Sequence, residues 1–250
     1  MFEHFFIVGA QRSGTSYLYQ LLAEHPEIEM AKPLRPEPKF ILNNALFDRG
    51  LEYYEDHFFG GKGRAWLRGE KSTSYIESEK AAYRLARCFP TSKILFVLRD
   101  PVERAISNYW FSVNNGWETL PISEAFLREE KRRLEFDRKS VSASPYAYLK
   151  RGRYIEYISM YERYFPGESI KVLLFERLIG SLDLVRDLYV FLGAASDFIP
   201  LALHKIVNKG DRPDIPLRPE LERYLIDYFA EFNTLLSEHL GLDLAEWQRT

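Results

Sequence analysis

The start of this 250-residue chain constrains its fold most strongly. An apolar run at 5–8 is suited to a buried strand, and it leads through Gly9 into the segment Ala-Gln-Arg-Ser-Gly-Thr-Ser at 10–16. Gly9 and Gly14 have the spacing of a nucleotide-binding P-loop, in which backbone N–H groups and a helix N-terminus surround a phosphate. Thr15 stands where a kinase or ATPase loop has lysine. The sequence therefore predicts an anion-binding loop that is not a Walker motif.

A second candidate anion site follows another apolar run. Residues 93–98 have the length and composition of a buried strand, and Arg99 comes directly after them. Asp100 is suited to cap a following helix, and Pro101 is suited to its first turn. Arg99 is thus expected at the carboxyl end of a strand, where open α/β sheets bind their ligands. Ser107 lies further along the same predicted helix.

Strands and helices alternate along the chain, which favours an α/β fold with a central, mainly parallel sheet flanked by helices. The proline-rich stretch 33–38 is predicted to be a loop. The charged run 129–133 has mixed sign, which indicates a solvated helix face rather than a nucleic-acid patch. Further helices are predicted at 78–89, 101–114, 152–165 and 177–192, a further strand at 170–175, and a helical apolar stripe at 221–236 that ends at Gly241.

The composition favours a single domain over 1–250 and limits the classes of partner. Hydrophobic residues make up 46% of the chain, and the formal net charge is only −2, so the overall charge gives no reason to expect nucleic acid. Cys88 is the only cysteine, which excludes an intrachain disulfide and predicts a core thiol. Because no apolar run approaches the roughly 20 residues of a membrane span, a cytoplasmic protein without such a span is expected.

Four separated motifs give the chain a resemblance to the sulfotransferases that use 3′-phosphoadenosine 5′-phosphosulfate (PAPS). Residues 11–16 are similar to the family's loop for the 5′-phosphosulfate, and residues 99–107 are similar to its 3′-phosphate site. The segment Gly-Glu-Lys-Ser-Thr-Ser-Tyr at 69–75 is similar to one in heparan-type and related bacterial members, and Asn-Lys-Gly at 208–210 resembles their C-terminal cofactor-covering loop. The resemblance implies a sulfotransferase fold of the P-loop-containing nucleotide-hydrolase type.

The same resemblance implies PAPS as the cofactor, adenosine 3′,5′-bisphosphate (PAP) as its product, and no required metal. Arg99 can bind the 3′-phosphate with two hydrogen bonds, and Ser107 can donate a third. Arg104 could point to the phosphate or to Asp100, and the sequence leaves both open. The implied cofactor-binding residues are Gln11, Arg12, Ser13, Gly14, Thr15, Ser16, Arg99, Ser107, Lys209 and Gly210.

Sulfuryl transfer needs cations that absorb charge on the transferring group and on the departing oxygen. We assign this role to Arg12, within the anion loop, and to Lys71, within the motif at 69–75. Many eukaryotic relatives have lysine at the place of Arg12. Because arginine stays protonated at neutral pH, Arg12 is expected to act electrostatically rather than as a proton donor.

The reaction also needs a base for the proton of the acceptor. Residues 35–40, Arg-Pro-Glu-Pro-Lys-Phe, resemble the Lys-Glu-Pro-x-Phe-Phe pattern of heparan-type and related bacterial sulfotransferases, whose glutamate is the catalytic base. The resemblance therefore implies Glu37 as the base, although Pro36 stands where that pattern has lysine. Glu70 and the histidines His25 and His57 remain alternatives.

The expected activity is transfer of a sulfuryl group to a hydroxyl or amine of a carbohydrate or small natural product. The identity of the acceptor and the oligomeric state stay open. Two other interpretations compete with this activity. A P-loop small-molecule kinase would bind Mg·ATP without needing a 3′-phosphate, and a non-catalytic nucleotide-binding module would bind nucleotide without turnover.

Overall fold

The computed structural model describes residues 2–61, 65–132, 144–205 and 217–248. The chain divides into two compact units. The first unit comprises Met1–Leu98 and Ser159–Val207, and the second comprises Arg99–Ile158 and Asn208–Thr250. The expectation of one sulfotransferase domain over 1–250 stays a prediction.

The first unit contains a five-stranded sheet in which all neighbouring strands are parallel. Its strands are β1 (Glu3–Gly9), β2 (Ile28–Met30), β3 (Leu67–Lys71), β4 (Lys93–Leu98) and β5 (Ile170–Leu174), and their order is β2-β3-β1-β4-β5. The central strand β1 pairs Ile7 with Lys71 of β3 and with Leu95 of β4. The predicted α/β fold with a mainly parallel sheet is confirmed.

The described helices agree closely with the predicted ones wherever the sequence carries a clear cap. Ser78 accepts a hydrogen bond from the Ala81 backbone N–H, and Asp100 accepts one from the Val102 backbone N–H at 2.8 Å. The helices are α1 (Thr15–Ala23), α2 (Asn44–Phe47), α3 (Gly50–Phe58), α4 (Glu79–Cys88), α5 (Pro101–Asn114), α6 (Ile122–Leu127), α7 (Glu129–Arg132), α8 (Tyr154–Glu162), α9 (Phe175–Leu178), α10 (Leu182–Leu192) and α11 (Pro219–Leu240).

One face of the sheet is covered by α1 and α10. Alternate residues of a strand point to the same face, so Phe5 and Ile7 of β1 share this face with Leu95 and Val97 of β4. All four side chains are fully buried in one cluster with apolar residues of the two helices. This packing fixes α1, and with it the loop that precedes α1, against the carboxyl ends of the central strands.

The second unit has its own core around α5 and α11. Ile106 of α5 and Phe229 of α11 are buried in one cluster with Tyr148. A Cβ added to Gly152 would lie 2.5 Å from the Phe229 ring, so only glycine permits this close approach. The predicted C-terminal stripe is thus a packing surface, and Gly241 ends α11 in the left-handed conformation.

Two further expectations concern the cysteine at 88 and membrane-spanning helices. Cys88, at the end of α4, is half-buried rather than a core thiol, because it lies on the last turn of a helix with an exposed face. Among the helices described within 2–61, 65–132, 144–205 and 217–248, none combines the length and the apolar composition that a membrane span requires.

Candidate active site

The predicted anion loop connects the end of β1 at Gly9 to the start of α1 at Thr15. Gly14, the residue before the helix, has a φ of +82°, and a Cβ at this position would lie 2.1 Å from the Phe175 ring. Arg12 also has a positive φ, of 67°. The loop is tied to the sheet by a 2.8 Å hydrogen bond from the Ala10 backbone N–H to the Val97 carbonyl.

Several donors in this loop are suited to an anion. The first amides of an α-helix have no carbonyl partner within the helix, and Gly14 offers no side chain to cap them. The Ser13 side chain is fully buried, and its hydroxyl has no hydrogen-bond partner among the described residues. A buried hydroxyl beside a helix N-terminus fits the oxygens of a phosphate or sulfate group.

Lys71 reaches the same edge of the sheet from the neighbouring strand. It is the last residue of β3 and pairs in register with Ile7, two residues before the end of β1. Because the strands are parallel, the Lys71 side chain emerges beside the loop that follows β1. Only 4% of this side chain is exposed, and its ammonium forms an ion pair with the Glu37 carboxylate.

Glu37 is held by the Lys71 side chain at the end of β3 and by two groups of Thr73 in the segment that follows. Its Oε1 pairs with the Lys71 ammonium, and its Oε2 accepts the Thr73 backbone N–H at 2.9 Å. The Thr73 hydroxyl lies 3.0 and 3.1 Å from the two carboxylate oxygens. The structure therefore brings together the predicted base and a predicted cation. Thr73 was not predicted as a site residue, although it belongs to the motif at 69–75.

Glu70 occupies a different environment from its neighbour Lys71. The two side chains point to opposite faces of β3, and Glu70 is fully buried. Its Oε1 accepts hydrogen bonds from the hydroxyls of Ser72 and Tyr75, both at 2.6 Å. Burial raises the pKa of the Glu70 carboxyl, against the effect of these hydrogen bonds. A fully buried carboxyl is poorly placed to take a proton from an acceptor.

The two alternative histidines differ in exposure. His25 is fully buried; its Nδ1 accepts the Glu27 backbone N–H at 3.1 Å, and its Nε2 donates to the Ala195 carbonyl at 2.9 Å. Both ring nitrogens of His25 are thus used within the protein. His57, in the last turn of α3, is exposed and stacks on Tyr53 at 4.7 Å between ring centroids.

The predicted 3′-phosphate residues lie in the second unit. Arg99 follows the last residue of β4, and its Nη2 lies 3.2 Å from Oε2 of Glu103, one turn into α5. The Arg99 carbonyl accepts the Tyr154 hydroxyl at 2.8 Å, which fixes the backbone at this point. Ser107 lies half-buried on α5, two turns from its start.

Arg104 is engaged inside the second unit. Its guanidinium is fully buried and donates to Asn108 Oδ1 at 3.3 Å and to the Tyr148 carbonyl. These contacts favour a structural role in holding α5. Lys209 and Gly210 lie outside the described residues, so their assignment stays a prediction. In the part of the chain that the structure describes, no three His, Cys, Asp or Glu side chains are grouped as a metal site requires.

Comparison with known proteins agrees with this architecture. The sequence model of the sulfotransferase domain family matches residues 2–209. A bifunctional heparan sulfate N-deacetylase/N-sulfotransferase 4 from Mus musculus is 35% identical over an alignment 271 positions long, which covers 98% of this chain and 31% of that protein. The chain spans less than half the length of each of the curated relatives compared.

Two solved structures share the fold. A sulfotransferase from Alicyclobacillus acidocaldarius is 29% identical, with full coverage of both chains and a TM-score of 0.81. A mouse sulfotransferase, SULT7A1, solved in complex with PAP, is 15% identical over 93% of this chain and 85% of that one, with a TM-score of 0.56. The resemblance noted in the motifs is confirmed by the family match, and the chain belongs to the sulfotransferase domain family.

Proposed function

We propose that this protein transfers a sulfuryl group from PAPS to a hydroxyl or amine of a carbohydrate or small-molecule acceptor. One observation carries the proposal: Glu37, held by Lys71 and Thr73, lies at the edge of the sheet where the anion loop follows β1. A carboxylate and a buried ammonium beside an anion loop are the groups that in-line sulfuryl transfer needs.

The loop between β1 and α1 is suited to hold the 5′-phosphosulfate of PAPS, which supplies the sulfuryl group. The Ser13 hydroxyl and the first amides of α1 would donate hydrogen bonds to its oxygens, and Arg12 would add positive charge. In the second unit, Arg99 and Ser107 are assigned to the 3′-phosphate, the group that distinguishes this nucleotide from ATP.

Within the site, Glu37 serves as the general base and takes the acceptor's proton at a carboxylate oxygen. Thr73 holds the orientation of that carboxylate through its backbone N–H and its hydroxyl. Lys71 supplies a fixed positive charge where negative charge develops during the transfer, and the charge acts strongly because the side chain is almost fully buried.

A screen of acceptors with ³⁵S-labelled PAPS tests the proposed function. Carbohydrates, phenols and small amines are offered to the wild-type protein and to Glu37→Gln, and label in the product is measured. We expect label to reach at least one class with the wild-type protein and far less with Glu37→Gln. Transfer of ³²P from γ-labelled ATP to these acceptors would indicate a kinase. PAP binding with no transfer to any class would indicate a binding module.

Changing Arg99 to alanine is expected to raise the dissociation constant of PAP by about 10-fold to 100-fold, the loss expected for charge-assisted hydrogen bonds to a phosphate. The affinity for ADP should stay unchanged, because ADP has no 3′-phosphate. Titration calorimetry of both nucleotides measures this difference. Glu103→Gln is the matched control, since it neutralises the carboxylate that pairs with Arg99 and keeps the guanidinium. An unchanged PAP affinity in Arg99→Ala would remove Arg99 from the site.

A further inference from the structure

Two hydroxyl groups join the loop that carries Glu37 to the segment after β3. The Lys39 backbone N–H donates to the Ser72 hydroxyl at 2.9 Å, and the Ile41 backbone N–H donates to the Tyr75 hydroxyl at 3.0 Å. Each hydroxyl donates its own hydrogen to Oε1 of Glu70, at 2.6 Å in both cases. The two loop amides therefore donate to two hydroxyls, and both hydroxyls donate to the same carboxylate oxygen of Glu70.

The direction of these hydrogen bonds follows from the chemistry of the groups. A hydroxyl has one hydrogen to donate and two lone pairs that accept. Since the hydrogens of Ser72 and Tyr75 point to Glu70, their lone pairs are available to the loop amides. Without an acceptor at Oε1, either hydroxyl could turn its hydrogen towards an amide N–H, and the hydrogen bond to the loop would be lost. Glu70 thus sets the orientation of both hydroxyls.

The hydrogen bonds around Glu70 are shielded from water. Glu70, Ser72, Tyr75 and Ile41 are all fully buried, so water does not offer a replacement acceptor. In a low-dielectric interior, a connected set of hydrogen bonds is strong when complete and costly when one member is missing. Oε2 of Glu70 has no hydrogen-bond partner among the described residues. A proton taken up at Oε2 would leave Oε1 free to accept from both hydroxyls.

The residues that carry the hydroxyls are themselves fixed to the first unit. The Ser72 backbone N–H donates to the Ile7 carbonyl of β1 at 3.2 Å, and the Tyr161 hydroxyl donates to the Tyr75 carbonyl at 2.9 Å. The hydroxyls are therefore rigid anchors. The loop they hold begins two residues after Glu37, so its position determines where the Glu37 carboxylate meets Lys71 and Thr73.

We propose that Glu70 is a positioning residue, which acts through the Ser72 and Tyr75 hydroxyls to hold residues 37–41 and so places Glu37 in the site. The consequence for catalysis rests on the proposed function, since it takes Glu37 as the base. The effect of Glu70 on the position of residues 37–41 does not depend on the proposed function. In this role Glu70 needs one oxygen that accepts hydrogen bonds, and it does not contact the molecule that is sulfated. A catalytic base, in contrast, would have to contact that molecule.

Limited proteolysis tests the position of the loop without any activity. Trypsin cleaves after lysine or arginine except before proline, so Lys39–Phe40 is its only cleavable bond within 31–48, because prolines follow Lys32 and Arg35. Phe40 is fully buried, which protects this bond in the wild-type protein. We expect Glu70→Leu to speed cleavage at Lys39 by about 10-fold or more, since loss of the anchors raises the population of open loop.

Glu70→Gln is the matched variant, because its amide oxygen can accept both hydroxyls. Its amide nitrogen would take the place of Oε2, and the Tyr54 hydroxyl, a buried neighbour of the Glu70 carboxyl, could accept from it. We expect cleavage at Lys39 near the wild-type rate and a turnover number within a few-fold of wild type. If Glu70→Leu were cleaved by trypsin at Lys39 as slowly as the wild-type protein, the proposal would be overturned. A Glu70→Gln variant as inactive as Glu37→Gln would overturn it as well.

Ser72→Ala and Tyr75→Phe keep the test decisive if Glu70→Leu does not fold. Each removes one anchor and should speed cleavage at Lys39, whereas unchanged protection in both would contradict the proposal. Tyr17→Phe is the control for both variants. The Tyr17 hydroxyl likewise accepts a hydrogen bond from a backbone N–H, at Gly180, and donates one to the Leu203 carbonyl, but both of these partners lie outside the loop at 37–41. It should leave cleavage at Lys39 unchanged.

Kinetics then separate a positioning role from general loss of structure. Glu70→Leu should lower the turnover number by about 10-fold to 100-fold, the range for a misplaced catalytic group, with the PAP dissociation constant unchanged. Added to Glu37→Gln, it should lower turnover little further, because the two residues act through one carboxylate. Fully additive losses would show that Glu70 does not act through Glu37. Lack of sulfuryl transfer by the wild-type protein would refute the proposed function and leave the proteolysis result standing.

Discussion

Glu37→Gln is expected to lower the turnover number by about 10²-fold or more, the range for losing a positioned general base. Glutamine keeps the shape of the side chain and can still accept from the Thr73 backbone N–H, so the loop should stay in place. It does not take up the acceptor's proton. Single-turnover rates at saturating PAPS measure the chemical step directly, and calorimetry should show an unchanged affinity for PAP.

Glu52→Gln is the control for this substitution, because Glu52 is an exposed carboxylate in the first turn of α3. It should transfer sulfate at the wild-type rate. If Glu37→Gln were fully active while Glu70→Gln or His57→Ala was inactive, the assignment of the base would be wrong, although the sulfotransferase activity would stand.

Lys71→Met is expected to lower the turnover number by about 10²-fold to 10³-fold, the range for removing one preorganised group that stabilises developing charge. Methionine keeps most of the buried stem and removes the ammonium, so Glu37 retains only its contacts with Thr73. The loss should appear in the single-turnover rate rather than only in the Michaelis constant of the acceptor.

Lys80→Met is the matched control, because Lys80 is an exposed lysine of α4 whose ammonium bonds Asn44 on the surface. Its turnover should match that of the wild-type protein. A Lys71→Met variant with normal turnover and only a raised Michaelis constant would show that Lys71 binds substrate without assisting the chemical step.

The elements that the sequence predicted well are those with strong local signals. The strand at 93–98 and the helix at 101–114 have the predicted bounds, because the apolar run and Arg99 are followed by a capping aspartate and a proline. The helix predicted at 177–192 instead begins at Leu182. Gly180 has a φ of +70°, and Ser181 caps the new helix by accepting the Leu184 backbone N–H.

Two polar segments show where local pattern fails. Strand β3 reads Leu-Arg-Gly-Glu-Lys and has no apolar pattern, yet all five residues are buried. Carboxylates distant in sequence pair with Arg68 and Lys71, and two hydroxyls of the following segment bind Glu70. The run at 129–133 was predicted as a solvated helix face. Glu129 is instead buried and accepts the Leu149 and Lys150 backbone N–H groups, which no periodicity in the run could indicate.

The candidate site was predicted residue by residue rather than as a set. Glu37 and Lys71 came from two separate motifs: Glu37 lies in the segment that follows β2, and Lys71 ends β3. Their pairing depends on the parallel arrangement of β2 and β3, which places the carboxyl ends of these two strands together. The Thr73 contact and the environment of Glu70 were missed. Both arise from the path of the loop at 37–41 over the segment after β3, which is a tertiary feature.

We expect this protein to use a nucleotide with a 3′-phosphate, and calorimetry of PAP and ADP in Mg²⁺-free buffer measures that preference. We predict that PAP binds at least about 100-fold more tightly, a difference of about 2.7 kcal/mol, because Arg99 and Ser107 bind a phosphate that ADP lacks. Added Mg²⁺ should not reverse this order. Equal affinities for the two nucleotides, or tight ADP binding that requires Mg²⁺, would contradict this expectation.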